Sequence, residues 1–193
     1  VKSAAKSKEI PTAMWSDPGN APKMRIAYAR DAGFVIEAEV KDAKHHQPYT
    51  RERYVEGDSI TFAFDVDKTE EWRANDIWMN YKGHRCVEYS VALGGNGKSE
   101  AFRRNCWIPD MKKFTSVGAN VRASVRSGNG VTQYWVWIPW ANLGLDEQLR
   151  PGAKIGFSAV LYSSDGKGVS TNRLFDGIVA PLDPMKYGVM ELK

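Results

Sequence analysis

Residues Met24–Asp42 read MRIAYARDAGFVIEAEVKD. Met24, Ile26 and Tyr28 alternate with Arg25, Ala27 and Ala29. Phe34, Ile36, Ala38 and Val40 then alternate with Val35, Glu37, Glu39 and Lys41. A period of two sends successive side chains to opposite faces of a strand, so each run offers one apolar face to a core. Arg30-Asp31-Ala32-Gly33 supplies turn chemistry between them. The spacing predicts paired strands, Met24–Arg30 and Gly33–Lys41, joined as a hairpin.

The same period recurs along the chain. Ile60, Phe62, Phe64 and Val66 follow the polar stretch Asp42–Arg53. Ile77, Met79 and Tyr81 continue the pattern, as do Val87, Tyr89 and Val91, which end at Gly94-Gly95-Asn96-Gly97. Val121–Val125 and Val131–Ile138 flank Ser127-Gly128-Asn129-Gly130, whose Asn-Gly is a strong hairpin signal. Ile155, Phe157, Ala159 and Leu161 form a further run, and Tyr187, Val189 and Glu191 close the chain. Helical character is confined to a turn after Pro139, stopped by Gly144, which Asp146–Leu149 could extend. Many short strands with Gly- and Asn-rich turns predict an all-β, jelly-roll-like β-sandwich of two antiparallel sheets with one short helical turn. Residues 1–14 read as a lead-in and 15–193 as one domain, a size that long sandwiches commonly reach.

Composition narrows the function. The 193 residues are 42% hydrophobic and 11% aromatic, enough for a packed core and too much for disorder. Twenty-seven Lys and Arg against 23 Asp and Glu give a net charge of +4, scattered along the chain, so nucleic acid is not implied. No apolar run approaches the ~20 residues of a membrane span, and membrane insertion is not expected. The alanine-rich, lysine-dotted start from Val1 reads as that of a processed or excised piece. Cys86 and Cys106 could pair across neighbouring strands, which would favour an oxidising compartment, or remain two buried thiols; the spacing leaves both open.

Four segments together point to a family: MRIAYARDAGFVIEAEVKD (Met24–Asp42), EGDSITFAFDVD (Glu56–Asp67), WVWIPWANLGLDEQLRPGAKIGFSAVLYSSDG (Trp135–Gly166) and YGVMELK (Tyr187–Lys193). The third is the most specific, with a strand running into Ile-Pro-Trp, a turn ending Leu-Gly, a Pro-Gly corner and Gly-Phe opening the next strand. From Trp15 to Lys193 the chain resembles the family 9 carbohydrate-binding modules and their looser relatives. The resemblance implies a two-sheet sandwich that holds sugar ends between aromatic rings, with structural calcium as an aid and no other cofactor. It further implies an extracellular, cell-surface or periplasmic module, covalently linked to other domains and serving carbohydrate catabolism or attachment to polysaccharide. The family's sugar-site positions fall on Val55 beside Tyr54, on Thr61, near Trp78, on Val160 and near Phe175, and several depart from the family's residue types. A second reading is therefore a structural or protein-contact sandwich whose sugar site has decayed.

Sugar recognition needs aromatic planes for the C–H faces of the ring and polar side chains for its hydroxyls. Tyr54, Trp78, Trp107 and Phe175 are the expected platform, with Arg85, Asn172, Arg173 and Asp176 as polar partners; Trp135, Trp137 and Trp140 read as structural packing. For metal, Asp65, Asp67 and Glu70 at a strand end and Asp165 in a turn suit calcium as hard oxygen donors. His45 and His46 are adjacent, so on an extended segment they face opposite ways, although a loop could gather them with Asp42 or Glu52. A haem held by Met79 and His84 is a third, lesser reading. No G-x-S-x-G, P-loop or H-E-x-x-H sequence occurs, and no catalysis is expected.

Overall fold

The computed structural model describes residues 7–29, 32–66, 85–106, 108, 115–116, 120–145, 152–178 and 183–192. Its strands are β1 (Ser7–Ile10), β2 (Lys23–Ala29), β3 (Gly33–Lys41), β4 (Ser59–Asp65), β5 (Cys86–Leu93) and β6 (Ser99–Cys106), followed by β7 (Thr115–Ser116), β8 (Arg122–Gly128), β9 (Val131–Pro139), β10 (Lys154–Ser164), β11 (Val169–Arg173) and β12 (Gly188–Glu191). Two antiparallel sheets result. One runs β1-β2-β3-β9-β8; the other runs β11-β10-β4-β5-β6-β7, with β12 also on β10. The sandwich predicted from alternation is therefore the observed architecture.

The opening hairpin forms in the expected register, from Lys23 opposite Glu39 to Ala29 opposite Gly33. Gly33 has φ 136°, in the region only glycine enters freely, and a Cβ there would run into the Ile138 carbonyl of β9. β3 then pairs along its whole length with β9. Ile36, Ala38 and Val40 thus join Val136 and Ile138 beneath Ile60, Phe62, Phe64, Phe157 and Leu161 of the other sheet. Phe34 stacks on Phe64 with ring centroids 5.4 Å apart and meets Trp140 edge-on at 4.9 Å. Full burial of each such side chain contributes about 1.5–3 kcal/mol. Trp140 opens a 3-10 turn, Trp140–Leu143, which Gly144 ends at φ 70°.

The centre of the larger sheet is buried on both faces. Every residue of β4 is buried, and so is nearly every residue of β5. The 3-10 turn Arg51–Glu56 and the segment after β11 lie over its outer face, where Ala63, Val160, Tyr162, Ile178 and Tyr187 form one apolar cluster and Tyr54, Ala92 and Phe102 another. Of the polar residues that alternation assigns to this face, Thr61 and Ser90 satisfy each other, their hydroxyls 2.7 Å apart.

Three details go beyond the expectations from sequence. Part of the lead-in is a strand, because β1 pairs with β2 from Ser7 opposite Ala27 to Ile10 opposite Met24. A strand around Ile77–Tyr81 lies outside the described residues, and the strand that pairs with β4 is β5. Of the two readings left open for the cysteines, the second holds: Cys86 and Cys106 are both buried and form no disulfide. Cys106 stands opposite Val87 and packs into the inter-sheet core, whereas Cys86, one residue before Val87, points to the other face.

Candidate functional site

Most of the residues expected to meet a sugar serve packing or local hydrogen bonds. Tyr54 is fully buried and its hydroxyl donates to Glu100 Oε2 at 2.8 Å, so it offers no ring face to a ligand. Burial, and then the Glu100 carboxylate, push its phenol well above the usual range. Asn172 is buried on β11 and caps the Ser16–Asp17 turn: its Oδ1 accepts from Ser16 Oγ at 3.0 Å and from Asp17 N at 2.9 Å, while its Nδ2 donates to Asp17 O at 2.7 Å. Phe175 is half-buried against the main core, and its ring fills the space in which a Cβ on Gly188 would sit. Arg173 reaches Asp176 at 3.4 Å across a partly exposed surface. Arg85 is half-buried beside Gly144. Trp78 and Trp107 lie outside the described residues, as do Asp67, Glu70, Met79 and His84.

Register places Thr61 opposite both Ser90 of β5 and Val160 of β10, two strands of the larger sheet. Glu88 is 3% exposed, and its Oε1 accepts no hydrogen bond. Desolvation pushes its carboxyl up to about 8, with the Arg104 charge opposing only part of the rise. Val55 packs against the apolar cluster of Ala63, Val160, Tyr162, Ile178 and Tyr187 on the same face.

An accessible aromatic does exist, on the other sheet. Trp135 of β9 is 37% exposed. Tyr134, Val136 and Ile138 take the inward positions of β9, so the strand's period of two forces Trp135 and Trp137 outward. Both had been assigned to packing; alternation pairs them correctly, and register decides which face they share. Trp135 stands opposite Glu37 of β3 and Ser124 of β8. The open cleft of about 690 Å³ over this face is walled by Trp135, Arg25, Glu37, Glu39, Arg126 and Gln133. Gln133 Nε2 lies 3.5 Å from Glu39 Oε2, Lys23 Nζ lies 3.3 Å from Glu39 Oε1, and the Arg122 guanidinium lies 5.2 Å over the Trp137 ring. An indole rimmed by carboxylates, an amide and guanidinium groups is suited to a sugar ring, with stacking beneath and hydrogen bonds at the edge. The residues that could have betrayed this surface are Gln133, Glu37 and Arg25, polar neighbours on the tryptophan side of the alternation.

Of the oxygen donors expected to suit calcium, Asp67 and Glu70 lie outside the described residues, and Asp65 and Asp165 stand apart. Asp65 is fully buried on β4 opposite Gly156, near one end of β10, whereas Asp165 follows the other end. The exposed Asp165 instead closes a turn, its Oδ1 accepting from Lys167 N at 2.8 Å and Gly168 N at 2.9 Å. Calcium requires six to eight oxygens around one point, so Asp65 and Asp165 do not belong to one calcium site. Among the described residues, the group that does converge is Asp42, His45 and Asp58.

The fold is a two-sheet β-sandwich, and solved structures share it. A family 9 carbohydrate-binding module from Caldicellulosiruptor kristjanssonii in complex with cellotriose superimposes with a TM-score of 0.62 at 13% identity, over 98% of this chain and 83% of that one. The same kind of module from that organism in complex with glucose gives a TM-score of 0.63 at 14% identity, over 96% and 84%. A protein from Bacteroides uniformis, provisionally described as carbohydrate-binding, gives 0.58 at 11% identity, over 98% and 87%. The chain thus has the fold of the family 9 modules that its four sequence segments resemble. No protein-family model matches the sequence, and no curated protein is similar to it.

Proposed function

We propose that the chain is a non-catalytic carbohydrate-binding domain that holds a saccharide against Trp135 on the outer face of the five-stranded sheet. The observation that carries this reading is the exposed indole in an open cleft of carboxylates, guanidinium groups and an amide, on a fold whose solved neighbours bind cellotriose and glucose. A shallow, open surface accommodates the interior of a chain as readily as its end. In this reading the domain acts outside the cytoplasm, joined to other domains, and brings them to polysaccharide.

Calorimetry with gluco- and xylo-oligosaccharides, backed by a broad glycan array, tests it. Wild type should bind at least one oligosaccharide, and Trp135→Ala should weaken that binding about tenfold or more, the equivalent of one lost stacking interaction. Equal binding by both proteins would overturn the reading. A second reading, a structural or protein-contact sandwich, is favoured by the apolar filling around Val160 and Tyr187 where the family's sugar site falls. It requires that no glycan bind wild type at all.

A further inference from the structure

We propose that Asp42, His45 and Asp58 form a transition-metal site, suited to zinc, that ties the loop after β3 to the start of β4. The three side chains come from the end of β3, the following loop and the residue before β4, and their ligand atoms all lie within 4.8 Å of one another. His45 Nδ1 is 3.3 Å from Asp42 Oδ2 and 3.6 Å from Asp58 Oδ2. Charge-assisted hydrogen bonds between such groups are shorter, about 2.7–2.9 Å. The observed separations instead match the edge of a tetrahedron around zinc, roughly 3.3 Å for bonds of about 2.0–2.1 Å.

The surroundings fix the ligands as a metal would require. His45 Nε2 lies 3.4 Å from the Leu93 carbonyl, an acceptor for an N–H at that nitrogen when Nδ1 binds a metal. Nδ1 faces two carboxylate oxygens, and a cation between them would be shared by all three atoms. An imidazole whose far N–H donates to a backbone carbonyl is the usual outer support of a metal-bound histidine. The carboxylates are braced too. Thr132 Oγ1 donates to Asp42 Oδ2 at 2.6 Å, Lys44 N donates to Asp42 Oδ1 at 3.1 Å, and Asp58 accepts from the backbone N–H groups of His46 and Ser164. One imidazole and two carboxylates favour zinc over calcium, which prefers oxygen alone. A cleft of about 660 Å³ touching Asp42 and Asp58 leaves a fourth position for water.

Titration of the untagged, chelator-stripped full chain with ZnCl2 by calorimetry is expected to show one equivalent bound, with a rise in melting temperature reversed by EDTA. His45→Ala should weaken binding by about 100-fold or more, beyond what loss of an outer-shell partner costs, whereas His46→Ala should leave it unchanged. Cobalt provides a readout that needs no variant: Co²⁺ bound to wild type should give the intense visible bands of a tetrahedral site. No zinc binding, binding that survives His45→Ala, or calcium binding in place of zinc would overturn the assignment.

Discussion

Replacing Glu88 by glutamine is expected to stabilise the protein at alkaline pH and to do little at acid pH. The carboxyl is buried on the outer face of the larger sheet, with one oxygen accepting no hydrogen bond, and holds its proton up to about pH 8. In the unfolded chain it titrates near its ordinary 4.5. Between these values the native state binds more protons than the unfolded state, so stability falls as pH rises from about 4.5 to about 8 and is level beyond. At 1.36 kcal/mol per pKa unit the full loss is about 5 kcal/mol. A neutral amide of the same shape carries no such dependence, although its extra N–H costs on the order of 1 kcal/mol if unpaired. Glu88→Gln should therefore lie within about 1 kcal/mol of wild type at pH 5 and exceed it by several at pH 9. At about 2–4 °C per kcal/mol for a domain of this size, the alkaline gap is about 10 °C in melting temperature. Thermal melts of both proteins across pH 5–9 measure it directly, since every other titrating group is shared and cancels. Parallel curves for the two proteins would refute the placement of an uncompensated carboxyl at this position.

Two other substitutions test the packing around the candidate sites. Tyr54→Phe keeps the buried ring and removes its bond to Glu100; about 1–2 kcal/mol of stability should be lost by urea denaturation, with no change in any glycan affinity, because the ring faces no ligand. Gly33→Ala puts a Cβ against the Ile138 carbonyl at φ 136° and should cost roughly 2–4 kcal/mol, visible as a lowered urea midpoint with an unchanged slope.

The opening hairpin was legible because a period of two with a turn between leaves one solution: shifting either strand by one residue would send Phe34, Ile36 and Val40 into water. The same alternation marked β4, β5, β9 and β10, the Asn129-Gly130 turn marked the β8–β9 hairpin, and Pro139 and Gly144 bracketed the turn at Trp140. β1 was not legible, since Ser7–Ile10 has no apolar face and owes its conformation to pairing with β2. β6 escaped because its register shifts at Glu88 and Tyr89 and buries Arg103, whose Nε reaches the Tyr89 hydroxyl at 3.3 Å. The candidate metal group was legible only as a loose association of His45 with Asp42. Asp58 is 16 residues beyond Asp42, and only the return of the chain to start β4 closes that distance.

What the sequence by itself determined is alternation: which residues of a strand share a face, hence a two-sheet sandwich with its turns in place. Only the tertiary structure decided which face looks outward. Trp135 and Trp137 share a side on local geometry alone, but it is Tyr134, Val136 and Ile138, packed against the opposite sheet, that turn the tryptophans to solvent. For β4 and β5 the second face is covered as well, by chain that comes from Tyr54 on one side and Ile178 and Tyr187 on the other. Burial on that face is set by packing between segments distant in sequence, and no local pattern encodes it.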